Sequence, residues 1–346
     1  MSNSSYKDEL SVVTLTDAGL SMITLCLALF ITSANATTVV AIWRTPALRT
    51  LANTYVCSLA CVDFVVGLVC VLLALFLLPP VRLELFFKHI EVCSLFQGTI
   101  VGMSALSAIH MTLIAVDRYL YIIKPYFYQR VINFRVVAIF LAIAWGVGLI
   151  ISFLPQFIAK PYGEVPLCDI TQRQPIWYTF YTCTVLFGVL CVVNVIMYSI
   201  ILNAAAKQRK AVRANVPISH QNGKGQGNSS NISKGTMKSI KFFLTVFGVF
   251  LVCGTPTVVV MGLDYYSRVP SQVYRFLNVV AVANSGMNFI IYAAMNKQFR
   301  QAFLRNSALA RCRNSPACCC LHGCADKQGE ISDKMGAVSI NQTVYK

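Results

Sequence analysis

Seven long apolar runs, separated mostly by short polar segments, set the pattern of hydrophobic and polar positions along the chain. Stretches free of Asp, Glu, Lys and Arg cover 18–43, 92–116, 136–159, 174–206, 242–263 and 276–296, and a seventh, 56–78, holds one acid, Asp63. Each reaches the roughly 20 residues that an α-helix needs to cross the hydrocarbon of a bilayer. Backbone groups inside lipid must bond to one another, so a spanning chain forms helices or a closed barrel. Runs this long, without the period-two alternation of barrel strands, select helices. The pattern therefore predicts an all-α membrane protein, a seven-transmembrane helix bundle.

Composition agrees with this. The chain is 56% hydrophobic and 12% charged, where a soluble domain carries about 25% charged residues. A net charge of +16 raises the question of nucleic acid, but the basic residues collect between and after the apolar runs instead of covering a polar surface, so no nucleic-acid partner is expected. Their placement gives an orientation instead. With the amino terminus outside, the inner connections hold 21 Lys and Arg and the outer ones seven, namely Lys7, Arg82, Lys88, Lys160, Arg173, Arg268 and Arg275. Cytoplasmic loops carry the excess, so the amino terminus is expected outside the plasma membrane and the tail in the cytosol.

Residues 1–17 form the extracellular amino terminus and lack the pattern of a cleaved signal peptide; 18–295 form the bundle, with a flexible cytosolic loop at about 207–238, rich in Gly, Ser, Asn and Gln over 219–235. Residues 296–305 form a short amphipathic eighth helix, and 306–346 a Cys-rich cytosolic tail. The sequon at Asn3 lies outside and is a glycosylation candidate; those at Asn228, Asn231 and Asn341 face the cytosol. Of 14 cysteines, Cys93 and Cys168 are the two on the oxidising side, which predicts a disulfide between them. In the tail, Cys312, Cys318, Cys319, Cys320 and Cys324 sit near Arg311 and Arg313. Reversible palmitoylation beside a basic patch fits them better than a zinc knuckle.

Ionisable groups inside a span are costly and mark function. Asp63 is the acid deep in a span, with Asn35, Ser107, Asn284, Ser285 and Asn288 as candidate companions. Such oxygen-rich surroundings suit Na⁺, or form a hydrogen-bonded network without an ion. Asp117-Arg118-Tyr119 ends the third run; neighbours on a helix project about 100° apart, so the acid can neutralise the base while the arginine points inward. His110 and Trp145 read as structural, and Pro256 removes a backbone hydrogen bond and should kink the sixth helix.

Taken in order, Asn35, Ser58-Leu59-Ala60 with Asp63, Cys93, Asp117-Arg118-Tyr119, Trp145, Cys168, Tyr198, Phe250, Cys253, Pro256, Asn288, Tyr292 and Phe299 resemble the rhodopsin-like G-protein-coupled receptors, over about residues 18–305. The resemblance implies a receptor, not an enzyme, with an extracellular ligand, membrane lipids and a heterotrimeric G protein as partners. It makes Asp63, Ser107, Asn284, Ser285 and Asn288 an allosteric Na⁺ pocket. Asp117, Arg118, Tyr119, Tyr198, Asn288 and Tyr292 become the switch that rearranges as the sixth helix swings outward, and Tyr126 a residue that packs into the G protein. Phe299 and Phe303 are expected to face lipid.

Departures from the family pattern are equally informative. Gly254 stands where the family has a tryptophan, Leu190 and Phe289 where it has prolines, and Thr236 where some members have an acid that clasps the arginine. These losses predict raised basal activity, with a silent receptor-like protein as the alternative. Ile100 occupies the position of the amine-binding aspartate, and no lysine lies in the seventh span for retinal. The ligand-binding set is Gln97, Ile100, Val101, Ser104, Thr257, Val258, Met261, Tyr274 and Asn278, mainly apolar, for a lipid, small neutral molecule or peptide. A transporter would need several paired charges in the membrane, and only Asp63 lies deep in it.

Overall fold

The computed structural model describes residues 13–87, 89–158, 168, 174–214, 227–263 and 269–306. Among these, eight principal helices follow in chain order: α1 (Leu15–Arg44), α2 (Leu51–Leu77), α3 (Ile90–Ile123), α4 (Phe134–Phe153), α5 (Leu186–Ala214), α6 (Gly227–Leu263), α7 (Ser271–Met295) and α8 (Lys297–Asn306). Seven are long and apolar enough to cross a membrane, and the chain is a multi-pass membrane protein with no strand among the described residues.

Local signals fix several helix starts. Thr14 and Asp17 form a reciprocal capping box on α1, the Thr50 hydroxyl accepts from the Asn53 amide at the start of α2, and Asn133 accepts from the amides of Arg135 and Val136 on α4. Each satisfies backbone donors that a helix leaves open at its first turn. Asn296 does the same for α8, accepting from Gln298 and Phe299.

The order of burial explains the arrangement. In the most apolar stretch of α3, 61% of residues are buried, against 17% for α5 and 22% for α6. Helix α3 is thus the central post, packed on α2, α4, α5 and α6, while Val189, Val192, Val195 and Ile196 of α5 turn outward, where hydrocarbon would meet them. Close approach of α3 to α4 depends on small residues. A Cβ on Gly102 would lie 1.9 Å from Ser152 Oγ and 2.7 Å from the Gly148 carbonyl oxygen, so a larger residue there forces the two helices apart.

At one end of the bundle Cys93 and Cys168 are joined in a disulfide, as expected from their compartment. It packs with Leu73, Phe86 and Phe96 in a small apolar cluster, so Cys168 ties its loop to the top of α3. Arg275 of α7 is ion-paired there with Asp17 of α1.

Three expectations change. Helix α1 begins at Leu15, so Asp17 belongs to the helix and not to a polar leader. The loop expected at about 207–238 is shorter, because α5 runs on to Ala214 and α6 starts at Gly227; residues 215–226 lie outside the described ones. Phe299 and Phe303 do not face lipid: both are buried, Phe299 stacked on Tyr292 and Phe303 on Phe289. The apolar face of α8 covers the open end of the bundle, and the exposed large apolar residue of the helix is Leu304. Asn3, the other sequons at Asn228, Asn231 and Asn341 in their side-chain environment, and the tail cysteines Cys312, Cys318, Cys319, Cys320 and Cys324 fall outside what is described.

Candidate functional site

Between α3, α5, α6 and α7, on the disulfide side, lies a cavity of about 140 Å³, a size that accepts roughly one aromatic ring. Its walls carry Ile100, Val101, Ser104, Thr257, Val258 and Met261, six of the nine residues expected for ligand binding. The other three stand elsewhere. Gln97 is buried and its side-chain amide donates to the Cys168 sulfur at 3.5 Å, so it braces the disulfide. The Tyr274 hydroxyl donates to the Val260 carbonyl, and Asn278 is not in the lining. Thr182, Cys183, Leu186, Phe187, Ala281 and Val282 are among the other wall residues, and no charged side chain lines the cavity.

Phe187 is a wall residue that no sequence pattern singles out. A Cβ built on Gly254 would sit 3.3 Å from two atoms of its ring, so the phenyl from α5 occupies space that a side chain on α6 would otherwise fill. The same ring packs on Phe250 at 5.5 Å; one helical turn along α6, Phe247 stacks on Tyr198 at 5.6 Å, and Phe250, Phe247 and Tyr198 are buried in the same apolar cluster.

The floor of the cavity is Ser107, Asn284 and Ser285. Directly below is Asp63, fully buried, which accepts from the Asn288 side-chain amide at 2.8 Å and has the Ser285 hydroxyl beside it. Asn35 donates to the Ser285 carbonyl at 3.1 Å, which joins α1 to the same network. Four buried oxygens remain without a hydrogen-bond partner: Asn35 Oδ1, Asp63 Oδ1, Asn284 Oδ1 and Asn288 Oδ1. Unmatched acceptors in an interior are costly, and an all-oxygen set around one carboxylate is what a hard cation binds. The residues present thus fit Na⁺, which would supply the missing positive charge.

Arg118 anchors the opposite end. Its guanidinium pairs with Asp117, and Asp117 also accepts from the Tyr128 hydroxyl at 2.9 Å. Burial and the nearby carboxylate together push the Tyr128 phenol up, which keeps it a donor. The guanidinium lies over the rings of Tyr121 and Phe243, 5.3 and 5.4 Å from their centres, so α6 closes over the arginine through Phe243. Tyr198 and Tyr292 are buried nearby in the same apolar cluster as Phe243 and partly buried Tyr119, whereas Tyr126 is 89% exposed. Between the two ends, Ser58 bridges His110 Nε2 at 2.8 Å and Trp145 Nε1 at 3.0 Å, while His110 Nδ1 meets the Leu106 carbonyl. Both ring nitrogens are used, which makes His110 a structural tie between α2, α3 and α4.

This order of features along seven helices has a counterpart among known proteins: residues 34–292 match the 7 transmembrane receptor (rhodopsin family). The chain belongs to that family. It is similar to the octopamine receptor beta-2R of Chilo suppressalis, 25% identical over 313 residues that cover 80% of this chain and 76% of that protein. It is also similar to the melatonin receptor type 1B-B of Danio rerio, 25% identical over 285 residues (78% and 76%), and to the QRFP-like peptide receptor of Branchiostoma floridae, 26% identical over 297 residues (81% and 74%). The protein is therefore a receptor of the G-protein-coupled kind and not an enzyme. In this receptor the helix-5 wall of the cavity departs from regular helical periodicity. Phe180–Val185 forms a π-helical turn, which offsets the following residues from the regular 3.6-residue repeat.

Proposed function

We propose that the receptor binds a compact, mainly apolar extracellular ligand in the cavity of α3, α5, α6 and α7 and passes the event to a heterotrimeric G protein at the Arg118 end. The amino terminus and the disulfide then face outward, in line with the excess of basic residues at the other end. The observation that carries this reading is the pair of aromatic contacts between cavity and switch, Phe187 on Phe250 and Phe247 on Tyr198, within one apolar cluster above an arginine that α6 covers. A ligand that prefers the open arrangement of α6 shifts the balance between the two states, since differential affinity is what moves such an equilibrium. Exposed Tyr126 would enter the G protein once Arg118 is uncovered. A Na⁺ ion at Asp63, Ser107, Asn284, Ser285 and Asn288 would favour the closed state.

The named relatives include receptors for octopamine, melatonin and a peptide, so kinship alone leaves the ligand class open. Here Ile100 stands in the wall and no carboxylate lines the cavity, which favours a lipid, a small neutral molecule or a side chain of a peptide over an amine. The lost tryptophan and prolines at Gly254, Leu190 and Phe289 favour measurable signalling without ligand. Membranes holding the full chain should therefore stimulate nucleotide exchange on a panel of G proteins above receptor-free membranes, and more so with a neutral ligand. Exchange equal to receptor-free membranes under every ligand and every G protein would refute the signalling role.

A further inference from the structure

The cavity does not end above the Asp63 pocket. Its lining runs from Ile100 and Ser104 on the outer half of α3 down to Ser107, Asn284 and Ser285. The Ser285 hydroxyl also lies beside the Asp63 carboxylate. Gly254, which brings no side chain to the wall, removes the barrier that a large residue would place between the two levels. Phe187 leans over the glycine and leaves the way down open along α3 and α7. At the bottom, Asn284 is part of the lining, and its Oδ1 is buried with no hydrogen-bond partner, beneath walls that are mainly apolar.

We infer that ligand cavity and Asp63 pocket form one chamber with a shared floor, so that a ligand carrying a hydrogen-bond-donating head places it on Asn284 and Ser285 and displaces Na⁺. This rests on the reading of the cavity as the ligand site. A head with an O–H or amide N–H supplies the hydrogen that Asn284 Oδ1 lacks, and its apolar body lies against Val101, Phe187 and Met261. Ligand and ion then compete for the same oxygens directly, with no side chain relaying between them.

Cysteine labelling tests the chamber without reference to signalling, so its failure and a failure of the receptor reading are separable. In the full-length receptor with Cys183→Ser, single variants Ser104→Cys, Ser107→Cys and Ser285→Cys are treated with 2-hydroxyethyl methanethiosulfonate, and each site is read by peptide mass. The cysteine sulfur forms a mixed disulfide and methanesulfinate leaves. Labelling is expected at all three sites. Adding Gly254→Trp, or Ala281→Trp as a second plug on α7, should slow Ser107→Cys and Ser285→Cys at least tenfold and spare Ser104→Cys, which reports that the upper chamber is formed. Replacing choline by sodium should slow Ser107→Cys and leave Ser104→Cys unchanged. The inference is overturned if the two floor cysteines stay inert while Ser104→Cys reacts, if neither plug slows them, or if sodium has no effect on Ser107→Cys.

Discussion

Asp117→Asn is expected to raise ligand-free G-protein activation about tenfold, while Arg118→Ala, at the adjacent position, abolishes ligand-stimulated activation. The opposite signs follow from one ion pair. The Asp117 side chain is 2% exposed and that of Arg118 13%, so solvent screens the pair little, and removing the acid frees the arginine to leave its closed position. A loss of roughly 1.4 kcal/mol of closed-state preference corresponds to a tenfold change in the equilibrium. Removing the arginine takes away the group proposed to meet the G protein and strands a buried carboxylate, which is destabilising in itself. The double variant Asp117→Asn with Arg118→Ala restores neutrality, and it should reach the surface at wild-type level yet stay silent. Nucleotide exchange normalised to surface receptor reads all three; a double variant that signals would show that Arg118 is not the coupling group.

Phe243→Ala should also raise basal activity, through a different contact. Phe243 is buried and its ring lies 5.4 Å from the Arg118 guanidinium carbon. Of the described contacts it is the one by which α6 covers the arginine through an aromatic face. A desolvated cation–π contact contributes about 1–2 kcal/mol, and a change of that size moves a two-state ratio by roughly 5–30-fold. Phe243→Leu keeps the apolar bulk and removes the π face, so it should give most of the increase with little loss of thermal stability. Exchange rates of purified receptor without ligand measure this, and equal rates in wild type and Phe243→Leu would show that bulk alone holds α6 down.

The spans were legible because the thickness of hydrocarbon imposes a length on each helix and excludes charge from it, which also made Asp63 stand out. The disulfide was legible because a membrane sorts cysteines by compartment. What could not be read was which neighbour each face meets. Helix α8 has an apolar face in any projection, but the sequence does not say whether lipid or the bundle end covers it, and Phe289 on α7 supplies a partner ring for Phe303. Gln97 and Tyr274 are polar residues at plausible depth whose groups are engaged by the disulfide and by the Val260 carbonyl. Phe187 was missed because a π-helical turn precedes it, and because the space it fills is opened by a glycine on another helix.

Movement of α6 away from Arg118 is the claim on which the rest depends, and a distance between two labels measures it directly. Phe134 at the start of α4 and Lys241 near the Arg118 end of α6 are exposed, and cysteines there accept spin labels in a receptor whose exposed native cysteines are replaced. Pulsed electron resonance should show one main distance in sodium, and a second, longer one that grows when nucleotide-free G protein is added. A single distance that neither sodium nor G protein alters would contradict the account.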